Sequence, residues 1–402
     1  MVIRLNLQQN KHGTMKRALL TNVLILLTGL VLAQDNIISV GERIKIRSDV
    51  LGEDRTLYVS LPEDYERSAG KYPVICLLDA ESQFIHTAGI IRFLSETNNM
   101  PPSIVVGIVN TNRNRDLAPP SGIPGDENHL PGAGGTEKFH EFLTGELIPY
   151  IEKNYRTEPF RILMGHSLGG LFVIHTLVNH FSSFQGYIAS SPSLMWNREE
   201  ETATAGNVFP LKGGTTRFLY LSIGNEVDSR PNPISNFTDK LESKGSGSLK
   251  WKFEQFPGRS HESVPHIAFY DGLEFIYSGW KMDVSSLFSQ VDSLQTGAFL
   301  KKVQEQYALL SGIYGYECHP SENYLNMLGY SLMGMGQVGV AIDMFLYNVK
   351  LYPSSSNVYD SLGEAFMKAG KKDLAIENYK RSLELNPGNI NAVEQLKKLK
   401  GK

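Results

Sequence analysis

The chain has 402 residues, 41% hydrophobic and 20% charged, a globular composition that excludes collagen-like, coiled-coil and wholly disordered chains. Its formal net charge of −3, from 39 basic and 42 acidic residues, leaves no bulk positive field to hold a nucleic acid. Only two cysteines occur, Cys76 and Cys318, so a disulfide-stapled scaffold and a cysteine-rich zinc module are both excluded.

The N-terminus reads as a targeting segment. Met15-Lys16-Arg17 gives a positive start, and Ala18 to Leu32 is a 15-residue stretch without a charge. Val31 and Ala33 place short residues before Gln34, as a secretory signal peptide cleaved after Ala33 requires. The stretch is short for a membrane span, which needs roughly 20 apolar residues; an uncleaved anchor is the alternative. Translation starts at Met1 or Met15. The expected mature protein is exported, to the periplasm or outside the cell, with no stable membrane span.

From residue 34 to 285 strands and helices alternate. Ile37–Arg47 and Thr56–Leu61 alternate apolar with polar residues, as half-buried antiparallel strands do. Tyr72–Leu78, Ser103–Val109, Arg161–Met164, Gly186–Ala189 and Arg217–Ile223 are apolar runs expected of strands buried on both faces. Trp251–Phe256 reads as a last strand. Helices are expected at Thr136–Asn154, Gly169–His180, Pro233–Ser243 and His266–Lys281. This alternation implies a mostly parallel sheet covered by helices on both faces, an α/β fold. Cys76 falls in an apolar strand as a buried thiol; pairing with Cys318 is left open.

Beyond residue 285 the strand signal stops. Two 34-residue units, Glu322–Ser355 and Ser356–Asn389, align without gaps. Leu328-Gly329, Ala341-Ile342, Phe345 and Pro353 recur as Leu362-Gly363, Ala375-Ile376, Tyr379 and Pro387. These units resemble the tetratricopeptide repeat family. Ile390–Leu399 would cap the array and Leu294–Tyr316 would supply a degenerate helix pair. Residues 286–402 are therefore expected to form an all-α domain. It is a candidate surface for a protein partner or self-association through residues 287–402, or a lid or folding brace.

Chemistry concentrates where the parallel strands end. Phe160–Leu171 is an apolar strand, then Gly165-His166-Ser167-Leu168-Gly169, then an apolar helix. A sharp strand-to-helix turn presents a weakly nucleophilic hydroxyl to a base, and glycines on either side relieve the crowding. Ser167 is the expected nucleophile, and the Leu168 N–H an oxyanion donor. The base should follow the last strand, where His261 sits in a polar loop; His266 opens a helix and is expected to pack. The acid should follow Leu219–Ile223, giving Glu226, nearer the strand end, with Asp228 as the alternative. A second backbone oxyanion donor is expected at Ala80 or Glu81, after Leu78.

Four further residues are candidates for binding substrate: Arg113 and Arg115, which could hold an anionic group, His166 as a wall of the elbow, and Trp196 in the Ser190–Trp196 segment that should line the pocket. His175 and His180 are expected to be packing or surface residues. His261–His266 is not a zinc-binding helix, since its histidines are five apart and Pro265 intervenes. No metal and no cofactor are expected.

Residues 36–285 resemble the esterase family that contains esterase D, enterochelin esterase and the mycolyltransferases. Tyr72–Asp79, the Gly165–Gly170 elbow, the Ile223–Glu226 turn and the His261 loop carry the likeness. The resemblance implies the α/β-hydrolase fold, a serine carboxylic-ester hydrolase acting through an acyl-enzyme on a small-molecule ester, and a glutamate as the acid, which favours Glu226. Asn110–Pro119 resembles a loop of the enterochelin-esterase-like members. Two features depart from the family: Asp79-Ala80 replaces its usual Asp-Gly, and the repeats are an addition. Acyl transfer to another alcohol is the alternative reaction, and a repeat-based interaction protein with a subsidiary hydrolase domain the alternative class.

Overall fold

The computed structural model describes residues 38–63, 65–210, 216–226, 232–245, 247–291, 297–399 and 401. The expected signal segment and Asp228 lie outside the described residues. Eight strands form one sheet: β1 (Glu42–Ser48), β2 (Glu53–Ser60), β3 (Tyr72–Leu77), β4 (Ile104–Ile108), β5 (Thr157–His166), β6 (Gly186–Ser190), β7 (Arg217–Ile223) and β8 (Leu249–Gln255). Their spatial order is β1-β2-β4-β3-β5-β6-β7-β8. From β4 to β8 every pair is parallel, while β2 runs antiparallel to β4.

The continuous apolar runs follow from burial on both faces. In β3, Ile75 and Leu77 point into one hydrophobic cluster, while Val74 and Cys76 point into the other, because successive side chains alternate across a strand. Helices Ala80–Glu96 and Val264–Ile276 cover the first face; Leu168–Asn179 and Pro233–Lys244 cover the second. Ala80–Glu96 is not among the helices expected from the sequence. Cys76 and Cys318 are both buried free thiols, so they form no disulfide with each other; burial pushes the Cys76 thiol up to about 12.

The C-terminal region is all helix. The repeat pairs are Glu322–Gly334 with Val338–Leu351, and Ser356–Lys368 with Lys372–Leu385, closed by Ile390–Leu399. The glycines of the motif have a steric reason. A Cβ at Gly329 would meet the Phe345 ring at 2.5 Å, and one at Gly363 the Tyr379 ring at 3.0 Å. The same large-on-small contact thus recurs 34 residues apart.

Among the described residues, helices Ser285–Gln290 and Ala298–Tyr314 lie between the sheet region and the repeats, with Phe288 packed on Phe299 at 5.5 Å between ring centroids. The Tyr314 hydroxyl donates to the Ile276 carbonyl at 2.9 Å and the Tyr307 hydroxyl to the Trp280 carbonyl at 3.2 Å. Tyr277, Trp280, Phe160 and Phe218 pack around Tyr314. One hydrophobic cluster runs from Ile75 to Leu396, and Arg43–Lys402 form one compact unit. Packing is thus continuous across residue 285. Among the described residues no helix is long and apolar enough to cross a membrane.

Candidate active site

β5 ends at His166 and the next helix starts at Leu168, leaving Ser167 alone between them at φ 58°, ψ −116°. A β-substituted residue at positive φ costs of the order of 1–3 kcal/mol and persists only where the surroundings enforce it. Here the Ser167 N–H donates to the Ser190 carbonyl at 3.0 Å, and its own carbonyl accepts from Leu171 at 2.9 Å and Ser193 at 3.1 Å. The flanking glycine is obligatory, since a Cβ on Gly165 would lie 2.4 Å from the Gly169 carbonyl oxygen. Asp79 and Ser191, which follow the neighbouring strands β3 and β6, also have positive φ. Three adjacent strand ends thus turn sharply around one crevice. The Ser193 hydroxyl is 3.5 Å from that of Ser167.

The expected base and acid come together beside this turn. His261 Nδ1 lies 2.9 Å from Glu226 Oε2. A carboxylate can only accept, so Nδ1 carries the proton and leaves Nε2 as the acceptor. The loops bearing the two residues are tied at their bases: the Asn225 N–H donates to the Arg259 carbonyl at 2.6 Å. Glu226 Oε1 accepts from the Ser191 hydroxyl at 2.7 Å, so both carboxylate oxygens are fixed. The His261 ring is 4.5 Å from that of His166, the residue before Ser167. His166 is buried, and burial above all pushes its pKa down to about 4. Its buried Nε2 has no hydrogen-bond partner among the described residues. It lines a cavity of about 550 Å³ together with Gln83, His86, Glu262 and His266. His266 is therefore a cavity wall, its ring 5.3 Å from His86.

Two helices present N-termini to the crevice. Leu168 opens one and Ala80 the other, so the N–H groups of Leu168, Ala80 and Glu81 have no partners within their helices. The two ends abut: a Cβ on Gly169 would stand 3.0 Å from Asp79 Oδ2. Asp79 is buried. Its carboxylate accepts from Asn110 Nδ2 at 2.7 Å and from Arg113 Nε and a terminal nitrogen at 2.7 and 2.8 Å.

Both candidate arginines are paired with carboxylates. Asp79 takes the fork of Arg113, and a terminal nitrogen also reaches the His166 carbonyl at 3.4 Å. Arg115 is held by Glu53 at 2.6 Å and Asp116 at 2.7 Å. Asp116 in turn pairs with the wholly buried Arg55 at 2.6 Å. Arg115 foremost, joined by Arg55, holds Glu53 down to about 2 against the opposing effect of burial. Both arginines are thus braces of the loop between β4 and the following helices. Trp196 donates its indole N–H to the Pro119 carbonyl at 2.9 Å and is partly buried against the core, pinning that loop to the segment after β6. Sequence reasoning placed Ser190–Trp196 near the pocket but did not identify Ser191 as the partner of Glu226. Nor did it identify Asp79 as the carboxylate that orders the second turn.

Comparison with known proteins agrees with this architecture. The family described as "Putative esterase" matches residues 48–280, and the tetratricopeptide repeat family matches residues 356–389. The ferri-bacillibactin esterase BesA of Bacillus subtilis is 38% identical over 247 residues, covering 56% of this chain and 85% of that protein. A siderophore triacetylfusarinine C esterase of Aspergillus fumigatus is 30% identical over 161 residues, 36% of this chain and 53% of that one. Among solved structures, an IroE-like serine hydrolase from Shewanella oneidensis is 29% identical, with a TM-score of 0.63 over 74% of this chain and 95% of its own. An uncharacterised protein from Capnocytophaga ochracea, 16% identical, shares the fold over 90% of this chain and 99% of its own, with a TM-score of 0.60. The match across more than half of the chain, together with a relative covered over most of its length, makes this protein a member of that esterase family, a carboxylic-ester hydrolase of α/β-hydrolase fold with tetratricopeptide repeats at its C-terminus.

Proposed function

We propose that the protein is an exported serine esterase that cleaves siderophore-type esters through Ser167, His261 and Glu226. The observation that carries this reading is the 2.9 Å contact of His261 with Glu226 beside a serine at positive φ. His261 Nε2 takes the proton of Ser167 as its oxygen attacks the ester carbonyl. The N–H groups of Leu168 and of Ala80 or Glu81 receive the developing oxyanion. His261 then protonates the leaving alcohol, and water repeats the sequence on the acyl-enzyme. Glu226 holds the imidazole in the productive tautomer and offsets its positive charge. The substrate class is supported by relatives whose names specify siderophore esters. Export is supported by the charged start and apolar stretch of residues 15–33.

Labelling with a fluorophosphonate, followed by peptide mapping and assays on ferri-bacillibactin, triacetylfusarinine C and simple aryl esters, tests the proposal. Label should appear on Ser167, and Ser167→Ala should abolish turnover. A Ser167→Ala protein with undiminished hydrolysis overturns the nucleophile. Equal efficiency on simple and siderophore esters overturns the substrate class. A secreted form whose N-terminus is Gln34 is the expected product of export.

A further inference from the structure

At the end of the elbow helix away from Ser167, chain segments distant in sequence bring two imidazoles and a carboxylate to one point. We propose that Glu137, His175 and His180 form a binding site for a divalent transition-metal cation, of the kind that zinc occupies. One donor atom from each of the three lies within 4.8 Å of the other two. His175 Nε2 is 2.9 Å from Glu137 Oε1, and His180 Nε2 is 2.9 Å from Glu137 Oε2. In a tetrahedral zinc site, bonds of about 2.0–2.2 Å put neighbouring ligand atoms about 3.3 Å apart. Small side-chain shifts therefore convert these contacts into coordination.

The surroundings are those of a metal centre. Imidazoles that bind metals usually donate their second nitrogen to a carboxylate. The other ring nitrogen of His175, Nδ1, is 2.8 Å from Glu201 Oε1, and both side chains are buried. Glu201 Oε2 is tied in turn to Asn179 Nδ2 at 3.2 Å. His180 is oriented by stacking on His140, with ring centroids 3.9 Å apart, and His140 is held by the Ser183 hydroxyl at 2.9 Å. Two carboxylates meet imidazoles that are neutral when they bind a cation, so a charge of +2 balances the cluster. Glu137 is exposed, which leaves a fourth position for water.

The ligands and the carboxylate behind them belong to different elements. Glu137 is on helix Thr136–Phe142, His175 on Leu168–Asn179 with His180 as its C-cap, and Glu201, which holds His175, on Glu200–Val208. A bound cation would clamp these three helices, including the one whose first N–H faces the crevice. The site is distinct from the proposed reaction centre, since none of its residues is among those lining the cavity beside His166.

The test uses the full chain, stripped with a chelator and dialysed, then titrated calorimetrically with Zn²⁺ at pH 7.5 and melted with and without it. Wild type should take up one equivalent and melt at least about 3 °C higher. Glu137→Gln and His180→Ala, both changes outside the core, should each weaken binding more than tenfold, and Glu201→Gln about 10–100-fold. Retained ester hydrolysis verifies that the variants are folded. The exposed Glu141→Gln on the same helix should bind as wild type does. Absence of stoichiometric binding at about 10 μM free Zn²⁺ overturns the site. So does a loss below tenfold in either Glu137→Gln or His180→Ala, or an equal loss in Glu141→Gln.

Discussion

The Ser191 hydroxyl donates to Glu226 at 2.7 Å, on the oxygen opposite the one that meets His261. In the proposed reaction Ser191 is therefore a positioning residue for Glu226. Hydrogen bonds to charged groups contribute about 1.5–3 kcal/mol. Ser191→Ala should lower kcat about 10–100-fold with little change in KM. Glu226→Gln, which removes the charge itself, should cost about 10²–10⁴-fold. Steady-state kinetics on one ester, with melting curves to verify folding, orders the two effects; a Ser191→Ala loss confined to KM would assign Ser191 to substrate binding instead.

Arg113 neutralises Asp79 at the turn that supplies the proposed second oxyanion donor. Breaking a pair with one buried member strands its charge. Arg113→Ala should destabilise the protein by about 2–4 kcal/mol in urea unfolding. Asp79→Asn combined with Arg113→Ala should lose less than the sum of the two single changes, because the stranded charge is gone. Full additivity would place the cost of the arginine change elsewhere.

His86 and His166 predict a pH response. Each has its pKa lowered to about 4, in both cases chiefly by burial. The unfolded chain protonates these rings near 6.5 and the folded chain only near 4. Stability is therefore fully present above about pH 7 and is lost as pH falls from 6.5 toward 4. His86→Phe, which keeps an aromatic ring beside Phe269, should show a smaller fall in Tm between pH 7 and 4.5 than wild type. Thermal melts at the two pH values decide it, and parallel falls would exclude His86 as a contributor.

Tyr314 caps the last carbonyl of helix Val264–Ile276 from the tail. Tyr314→Phe should cost about 1–2 kcal/mol, because a buried carbonyl loses its donor. Fluorescence and circular dichroism should still report one coincident unfolding transition for the chain, given the continuous core. Two separated transitions would show that sheet and repeats unfold independently.

The features legible in the sequence are those whose cause is local. Strands β3 to β7 show as apolar runs because both of their faces are buried. Ser167 is visible because the turn admits only glycine beside it, and the repeats because Gly329 and Gly363 each face a ring at the same offset. The rest depends on contacts between distant segments. The sequence could not show that Arg115 would be taken up by Glu53, 62 positions earlier, because the antiparallel placement of β2 on β4 brings them together. Helix Ala80–Glu96 is the exception: Asp79 stands at its N-cap and Glu81 in its first turn, a start signal that the expected elements do not include. Glu137 and His175 are 38 positions apart, a separation that matches no metal-binding spacing pattern.

The aromatic seam around Tyr314 roots the repeat array on the sheet region, and its helices pack in chain order from there. Lys372–Leu385 and the closing helix Ile390–Leu399 lie at the tip, so insertion of another 34-residue unit between Asn389 and Ile390 would extend the array outward while leaving the root and the hydrolase untouched. The reach of this appendage can therefore be lengthened by gene duplication or by engineering without any compensating change around Ser167.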